Sequence, residues 1–315
     1  MEIVVRPLGE SDLGAADQIC RVAFGTFFGV PDPTTFMGDT DCVRTRWHAD
    51  PSAAFGAFVD NELAGSVFVA NWGSIGFFGP LTIRPDLWDR GLAKRLMEAV
   101  VGQFDAWGTQ VAGLFTFPDS AKHVGLYQRF GFWPRFLTAI MSKPVTPRTS
   151  NAPTLGTRFS EAAPVEREHV LAECRDLTND IYHGLDVSTD IRSVADQGLG
   201  DTLLLHRDGR LIGCAVCHCG TGSEAGSGSC YVKFGGVRPG ITACDDFGRL
   251  LDACEAFAVQ TGVTRLKAGV NTARHEAYER MLAHGFRTNR YGLAMQRPNE
   301  AGYNRPGAFV LDDWL

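Results

Sequence analysis

Apolar residues recur at Leu92, Leu96, Val100 and Phe104, with Met97 and Val101 alongside. A four-residue spacing with a second row beside it is the imprint of an amphipathic helix packed on a sheet. Just upstream, Leu81-Thr82-Ile83 is an apolar, β-branched run closed by Arg84-Pro85. Proline removes a ladder donor and biases the residue before it, so the run predicts a strand that ends there. The whole segment therefore predicts strand, tight turn and helix. Val111 to Phe117 predicts a second, parallel strand, because a helix joins it to the first. Asp119 or Ser120 then supplies an N-cap for a short helix running to about Phe130. Gly131 closes that helix and Phe132 opens another strand.

The same order of elements returns in the second half. Asn61 to Val69 is a hairpin turn entering a strand, and Asp208 to Cys217 matches it. Arg84-Pro85 recurs as Arg238-Pro239 and Gly131-Phe132 as Gly285-Phe286, each 154 positions later. A helix over about Cys244 to Gln260 and a strand over Arg265 to Val270 complete the repeat. Residues 143–157 are rich in Pro, Thr, Ser and Asn, the composition of a linker. The expectation is two α/β domains of one mixed-sheet fold in tandem: residues 1–145, a linker at 146–157, and residues 158–315 with a C-terminal tail.

Gly91 lies in the turn before the first of these helices, and small Ala93 follows two residues on. Such a turn lets several backbone N–H groups converge at the positive end of a helix, where they bind phosphates. The segment Trp88-Asp89-Arg90-Gly91-Leu92-Ala93 resembles the acyl-CoA loop of the GNAT acetyltransferase superfamily, Gln/Arg-x-x-Gly-x-Gly/Ala. Gly91 and Ala93 match; Trp88 stands where Gln or Arg is usual. Ser120 to Phe132 resembles the second signature of that family, Asn-x-x-Ala-x-x-Leu-Tyr-x-x-x-Gly-Phe, with Leu126, Tyr127, Gly131 and Phe132 in their family positions. Ser120 and His123 stand where Asn and Ala are common. The two signatures, in the family's order, cover roughly residues 55–142.

The resemblance implies two tandem GNAT domains and an N-acetyltransferase that moves an acetyl group from acetyl-CoA to a primary amine by direct attack. It places Trp88, Asp89, Arg90, Gly91, Leu92, Ala93, Lys94 and Ser120 at the cofactor, with Leu81, Thr82 and Ile83 pairing their backbone with the pantetheine arm. One of those amides would also polarise the thioester carbonyl. Tyr127 is implied as the general acid that protonates the departing thiolate. Many relatives carry an acidic base on the strand ahead of the loop, yet Gly73 to Ile83 holds neither carboxylate nor histidine. Asp86, Asp89, His123 and the carboxylate of Leu315 are the alternatives. The end Ala308 to Leu315 holds two acids and two large apolar residues, a composition that docks rather than frays. Some tandem members of the family bring this terminus into the active site. In the second copy, Cys244-Asp245-Asp246-Phe247 replaces the glycine loop and Met281 replaces the tyrosine, although Tyr278 lies one turn earlier. Acids at that helix start repel a pyrophosphate, so this half is expected to brace the first and wall the acceptor cleft. Two other readings stay open: a non-catalytic acyl-CoA sensor, or transfer of another acyl group.

A net charge of −6 argues against a nucleic-acid scaffold, which needs basic patches, and suits a small-molecule amine or peptide acceptor. The N-terminus has no basic region followed by a long apolar run, and no stretch reaches a membrane span, so a cytoplasmic protein away from membranes is expected. Nine cysteines, an odd number scattered through apolar segments, fit reduced thiols. Cys214-Ala-Val-Cys217-His218 has the spacing of a haem attachment site. On a strand, however, residues three apart point to opposite faces, and neither haem nor metal is expected. Gly220 to Ser229 reads as a flexible hairpin loop. Phe27, Phe28 and Trp47 are candidates to line an acceptor pocket.

Overall fold

The computed structural model describes residues 2–145 and 156–314. The first half builds β1 (Ile3–Pro7), α1 (Leu13–Phe27), α2 (Cys42–Ala49), β2 (Ala54–Val59), β3 (Glu62–Trp72) and β4 (Ile75–Ile83). It continues with α3 (Leu92–Trp107), β5 (Val111–Thr116), α4 (Ala121–Gln128) and β6 (Trp133–Pro144). The second half builds β7 (Thr157–Arg158), α5 (Arg167–Ile181), α6 (Ser188–Asp196), β8 (Gly200–Arg207), β9 (Arg210–Gly220) and β10 (Gly226–Val237). α7 (Ala243–Gln260), β11 (Arg265–Asn271), α8 (His275–Ala283), β12 (Arg287–Arg297) and β13 (Val310–Leu311) follow. Most of the linker segment, 146–155, lies outside the described residues.

The predicted helix at Leu92 forms as α3, and its apolar rows Leu92, Leu96, Met97, Val100 and Phe104 are buried. They pack on Val67, Val69, Phe78 and Leu114 of β3, β4 and β5. On the opposite face of the first half, α1 buries Leu13, Ala16 and Cys20 against Ala54, Phe58 and Phe68.

The strands form one mixed sheet in the order β1-β2-β3-β4-β5-β12-β6-β11-β10-β9-β8-β7, with β13 on β10. The two halves are interleaved in it. β12 of the second half lies between β5 and β6, pairing Arg297 with Ala112 and Leu293 with Leu137. β6 of the first half runs on between β12 and β11, pairing Lys267 with Ser142. Each half thus supplies the strand that closes the other's sheet.

Two irregularities open the sheet where the chemistry was expected. β4 and β5 pair in parallel only from Ile75–Val111 to Phe77–Gly113 and part beyond Phe77. Against β3, the register of β4 slips by one between Val69–Phe78 and Val67–Leu81, a bulge at Gly79-Pro80.

The Gly220–Ser229 hairpin is not the free loop expected from its glycines. Ser223 and Ala225 are buried. The loop is pinned to the first half by Asp41 N–H to Ser223 O (3.1 Å), Gly222 N–H to Asp39 O (3.1 Å) and Ser227 N–H to Asp39 Oδ1 (2.9 Å). Cys214 and Cys217 of β9 do fall in different core clusters, on opposite faces of the strand. Among the described residues no three His, Cys, Asp or Glu side chains gather as a metal site. No helix among the described residues is long and apolar enough to cross a membrane.

Candidate active site

A cavity of about 680 Å³ fills the splay between β4 and β5 and reaches the starts of α3 and α4. Its floor is β4 from Phe78 to Ile83, which includes Leu81, Thr82 and Ile83. Beyond Phe77 this strand has no paired neighbour on the β5 side among the described residues. A strand edge left open in this way presents backbone groups to an extended ligand.

One end of the cavity is the turn into α3. Gly91 caps the helix with φ of +83°, the left-handed region that glycine enters without steric cost. A Cβ there would meet nothing within 4 Å, so the space beside this helix start is open. Trp88, Asp89, Gly91, Leu92, Ala93 and Lys94 all line this end, and Ser120 lines the side by α4. Arg90 does not: it is exposed and absent from the cavity wall. In this turn the residue before the glycine points outward, which the motif alone does not reveal. Trp88, the departure from the family pattern, turns its indole N–H onto the Ile83 carbonyl (2.8 Å) and ties the loop to the end of β4.

Tyr127 lines the cavity from α4, against Phe78 at a ring distance of 5.7 Å. Burial alone raises its pKa, so the phenol keeps its proton throughout the physiological range. His123 stands one turn earlier on the same helix and also lines the cavity. Its Nδ1 is 2.8 Å from Ser120 Oγ. Burial, with help from Lys122, lowers its pKa, which favours the neutral imidazole.

The other bases named from sequence are placed less suitably. Asp86 is exposed and doubly bonded to Arg84 (2.8 and 3.0 Å). Asp89 touches the cavity but is paired with Lys122 at 2.6 Å. Leu315 lies outside the described residues. Of the three aromatic candidates, Phe27 lines the cavity and Phe28 joins the aromatic group beside it. Trp47 instead donates to the Leu8 carbonyl (2.9 Å) and packs in the core near α1.

Several residues at this site carry no signal in the sequence motif. The tail is anchored step by step. Val310 and Leu311 pair with β10. The buried Arg274 clamps Asp312 with two bonds of 2.9 and 3.0 Å. Trp314 then donates to Tyr303 Oη (3.1 Å), covers Gly113 and enters the cavity wall. Glycine at position 113 allows that approach, since even a Cβ there would collide with the indole. Arg46 of α2 reaches the bulge, donating to the Gly79 carbonyl at 2.5 Å. Its guanidinium also grips Glu224 of the second half (2.7 and 3.2 Å), and Glu224 accepts from Lys233 at 2.6 Å. Lys233 in turn pairs with Asp190 (3.2 Å), which takes the indole N–H of Trp72. Burial pushes the Glu224 carboxyl up, yet Arg46 and Lys233 together overcome it and hold the group well below the usual range. The strand bulge is therefore held by a charged chain that crosses between the halves.

The equivalent helix start in the second half is built differently. Residues 84–91 connect β4 to α3, whereas the shorter run 238–242 connects β10 to α7. Asp246 is held there by Arg207 and by Thr242 Oγ1 (2.8 Å), and Phe247 is buried. Met281 is a core residue of α8, and Tyr278 Oη bonds Tyr291 Oη at 2.8 Å.

Residues 18–132 match a family model described as the acetyltransferase (GNAT) family. No curated protein matches the chain. Among solved structures, the fold is similar to that of a proposed acetyltransferase from Pyrococcus horikoshii, with a TM-score of 0.68 at 12% identity over 99% of this chain and 95% of that one. It is similar also to a GCN5-related N-acetyltransferase from Sphaerobacter thermophilus, with a TM-score of 0.60 at 14% identity over 94% of this chain and 95% of that one.

Proposed function

We propose that the chain, whose residues 18–132 match the acetyltransferase (GNAT) family model, transfers an acetyl group from acetyl-CoA to a primary amine. The observation that carries this reading is the meeting of three features on one cavity: the open edge of β4, the open helix start at Gly91, and the protonated phenol of Tyr127. The pyrophosphate of the donor would rest on the amides from Gly91 to Ala93, where the helix end favours anions. Lys94 adds a charge at the same rim. The pantetheine arm would pair with Leu81 to Ile83, which sets the thioester beside the bulge.

In the transfer, the amine nitrogen bonds to the thioester carbon and the carbon–sulfur bond breaks. A backbone N–H at the bulge stabilises the oxygen anion that forms between these events. Tyr127 gives its proton to the sulfur. The proton lost by the attacking nitrogen needs an acceptor, and neutral His123 faces the same space. By position, residues 1–145 would hold the donor site, and residues 158–315 would hold the bulge in place and close the acceptor side. The second half, with a shortened connection and its own acid at the helix start, would bind no donor.

Release of free thiol from acetyl-CoA, measured over a panel of amines, tests the reading. Amine-dependent release from wild type, lost in Tyr127→Phe, supports it. Tight acetyl-CoA binding with no release for any amine supports the sensor instead, and faster release from a longer acyl donor moves the assignment to another acyl group.

A further inference from the structure

A second cavity, of about 510 Å³, adjoins the first. The two share Phe24 of α1 and Pro80 of the β4 bulge, so they meet where the thioester would lie. The wall is apolar at Met37, Ile140 and Ala268. Its charged groups fall at two ends: Glu224 and Asp313 with Arg46 by the bulge, and Arg265 and Lys267 along β11. Arg265 and Lys267 both line the cavity and, two residues apart on a strand, share a face. The next position on that face is Gly269, and a Cβ there would collide with Asp313, which lies over it. One step on this face is about 7 Å. Asp313 takes the hydroxyl of Tyr231 at 2.7 Å, and Glu224 lines the same end, by Arg46 and the bulge. Two carboxylates and one guanidinium therefore stand at the bulge end, and two cations stand one and two steps further out along β11.

Neither cation is ion-paired among the described residues. Lys267 Nζ donates to the Ala225 carbonyl (3.0 Å) and Arg265 Nη1 to Ser142 Oγ (3.2 Å). Asp39, whose charge reaches Lys267, is held by the amide and hydroxyl of Ser227. Lys267 is half-buried, and burial together with Arg265 disfavours its charge. Two like charges on one strand face, Lys267 half-buried and Arg265 exposed, with donors to spare, are relieved when an anion binds between them.

The geometry points to this cavity as the acceptor site and to an acceptor that carries an anionic group, a carboxylate or a phosphate, on the same small molecule as its amine. The assignment rests on the acyl-transfer reading. The ammonium of such a molecule enters the acidic end, next to the bulge, while its anionic group sits on Lys267 and Arg265. Neutral amines lack the second hold, and polyamines meet repulsion at the outer end.

The test uses product binding, which needs no turnover. N-acetyl amino acids and N-acetyl-phosphoethanolamine are titrated calorimetrically into the full-length protein, each against its uncharged carboxamide or alcohol partner. The same pairs are run with Lys267→Met and Arg265→Met. The expected result is that at least one anionic series binds about tenfold or more tightly than its neutral partner, and that each variant removes most of that preference. The carboxylate and phosphate arms show which anion is used. Equal binding of charged and neutral partners, no binding of either, or a preference untouched by both variants overturns the proposal. Acetyl-CoA titrated into the same samples reports separately on the donor cavity, so loss of that binding would count against the acyl-transfer reading and not against this one.

Discussion

Tyr127 and Gly91 show how much of the site is written in single residues. Tyr127 falls where the resemblance places the acid, and burial keeps it protonated. Tyr127→Phe is expected to lower turnover by about 10²–10⁴-fold with acetyl-CoA affinity retained, in the range found for a lost general acid. Steady-state thiol release and a binding titration on one preparation check both halves of that statement. Gly91 has open space around it, so a side chain there is opposed by its φ of +83° and not by a neighbour. Gly91→Ala is expected to destabilise the fold by about 1–2 kcal/mol, measured by denaturant unfolding. Both residues were singled out because a short motif surrounds each, and both line the one cavity. Arg90, drawn from the same motif, does not line the cavity, because consecutive loop residues need not face the same way. Trp314 was foreseen only as part of a docked tail, and Arg46 carried no signal at all: nothing local marks a residue that reaches a cavity from far along the chain.

At the scale of elements, periodicity told the strands and helices well. The α3 stripe, the β5 run and the Gly131 and Gly285 helix ends all appear at or within a few residues of their predicted places. The bulge in β4 was not foreseen, because one inserted residue leaves the apolar pattern of a short strand unchanged. Its support is long-range. Arg46 holds Gly79, and Glu224 holds Arg46. Arg46→Met is expected to cost about 3–5 kcal/mol, since it leaves Glu224 buried with Lys233 as its remaining cation in this chain of contacts. Combining it with Glu224→Met should restore much of that stability in urea unfolding while turnover stays low, because the bulge carbonyl is still unheld. The glycine-rich hairpin illustrates the opposite error. Its composition suggests freedom, yet Glu224 and Ser223 within it are fixed by the first half.

The whole molecule is one interleaved sheet, and that was beyond the reach of a repeat read from sequence. A 154-residue offset reveals that two halves share an order of elements, but each half's pattern is satisfied equally by its own last strand or by its neighbour's. The exchange of β6 and β12 makes the halves depend on each other, and the buried charges between them tie stability to pH. Burial lowers the pKa of His218 to about 4, against about 6.5 in an unfolded chain. The folded-state value is the lower one, so this stability is present above pH 6.5 and is lost as pH falls toward 4, by on the order of 2–3 kcal/mol. Glu224, also held below its ordinary value, adds a further loss below about pH 4.5. Unfolding free energy measured from pH 7 to pH 4 should show this decline, and His218→Gln should flatten its upper part. The central claim is that a single donor cavity, in the first half, serves the reaction. Calorimetric titration of acetyl-CoA into wild type and Gly91→Glu tests it most directly. One site per chain, abolished by the charge placed at the helix start, is the predicted result; two sites per chain, or binding untouched by Gly91→Glu, would contradict it.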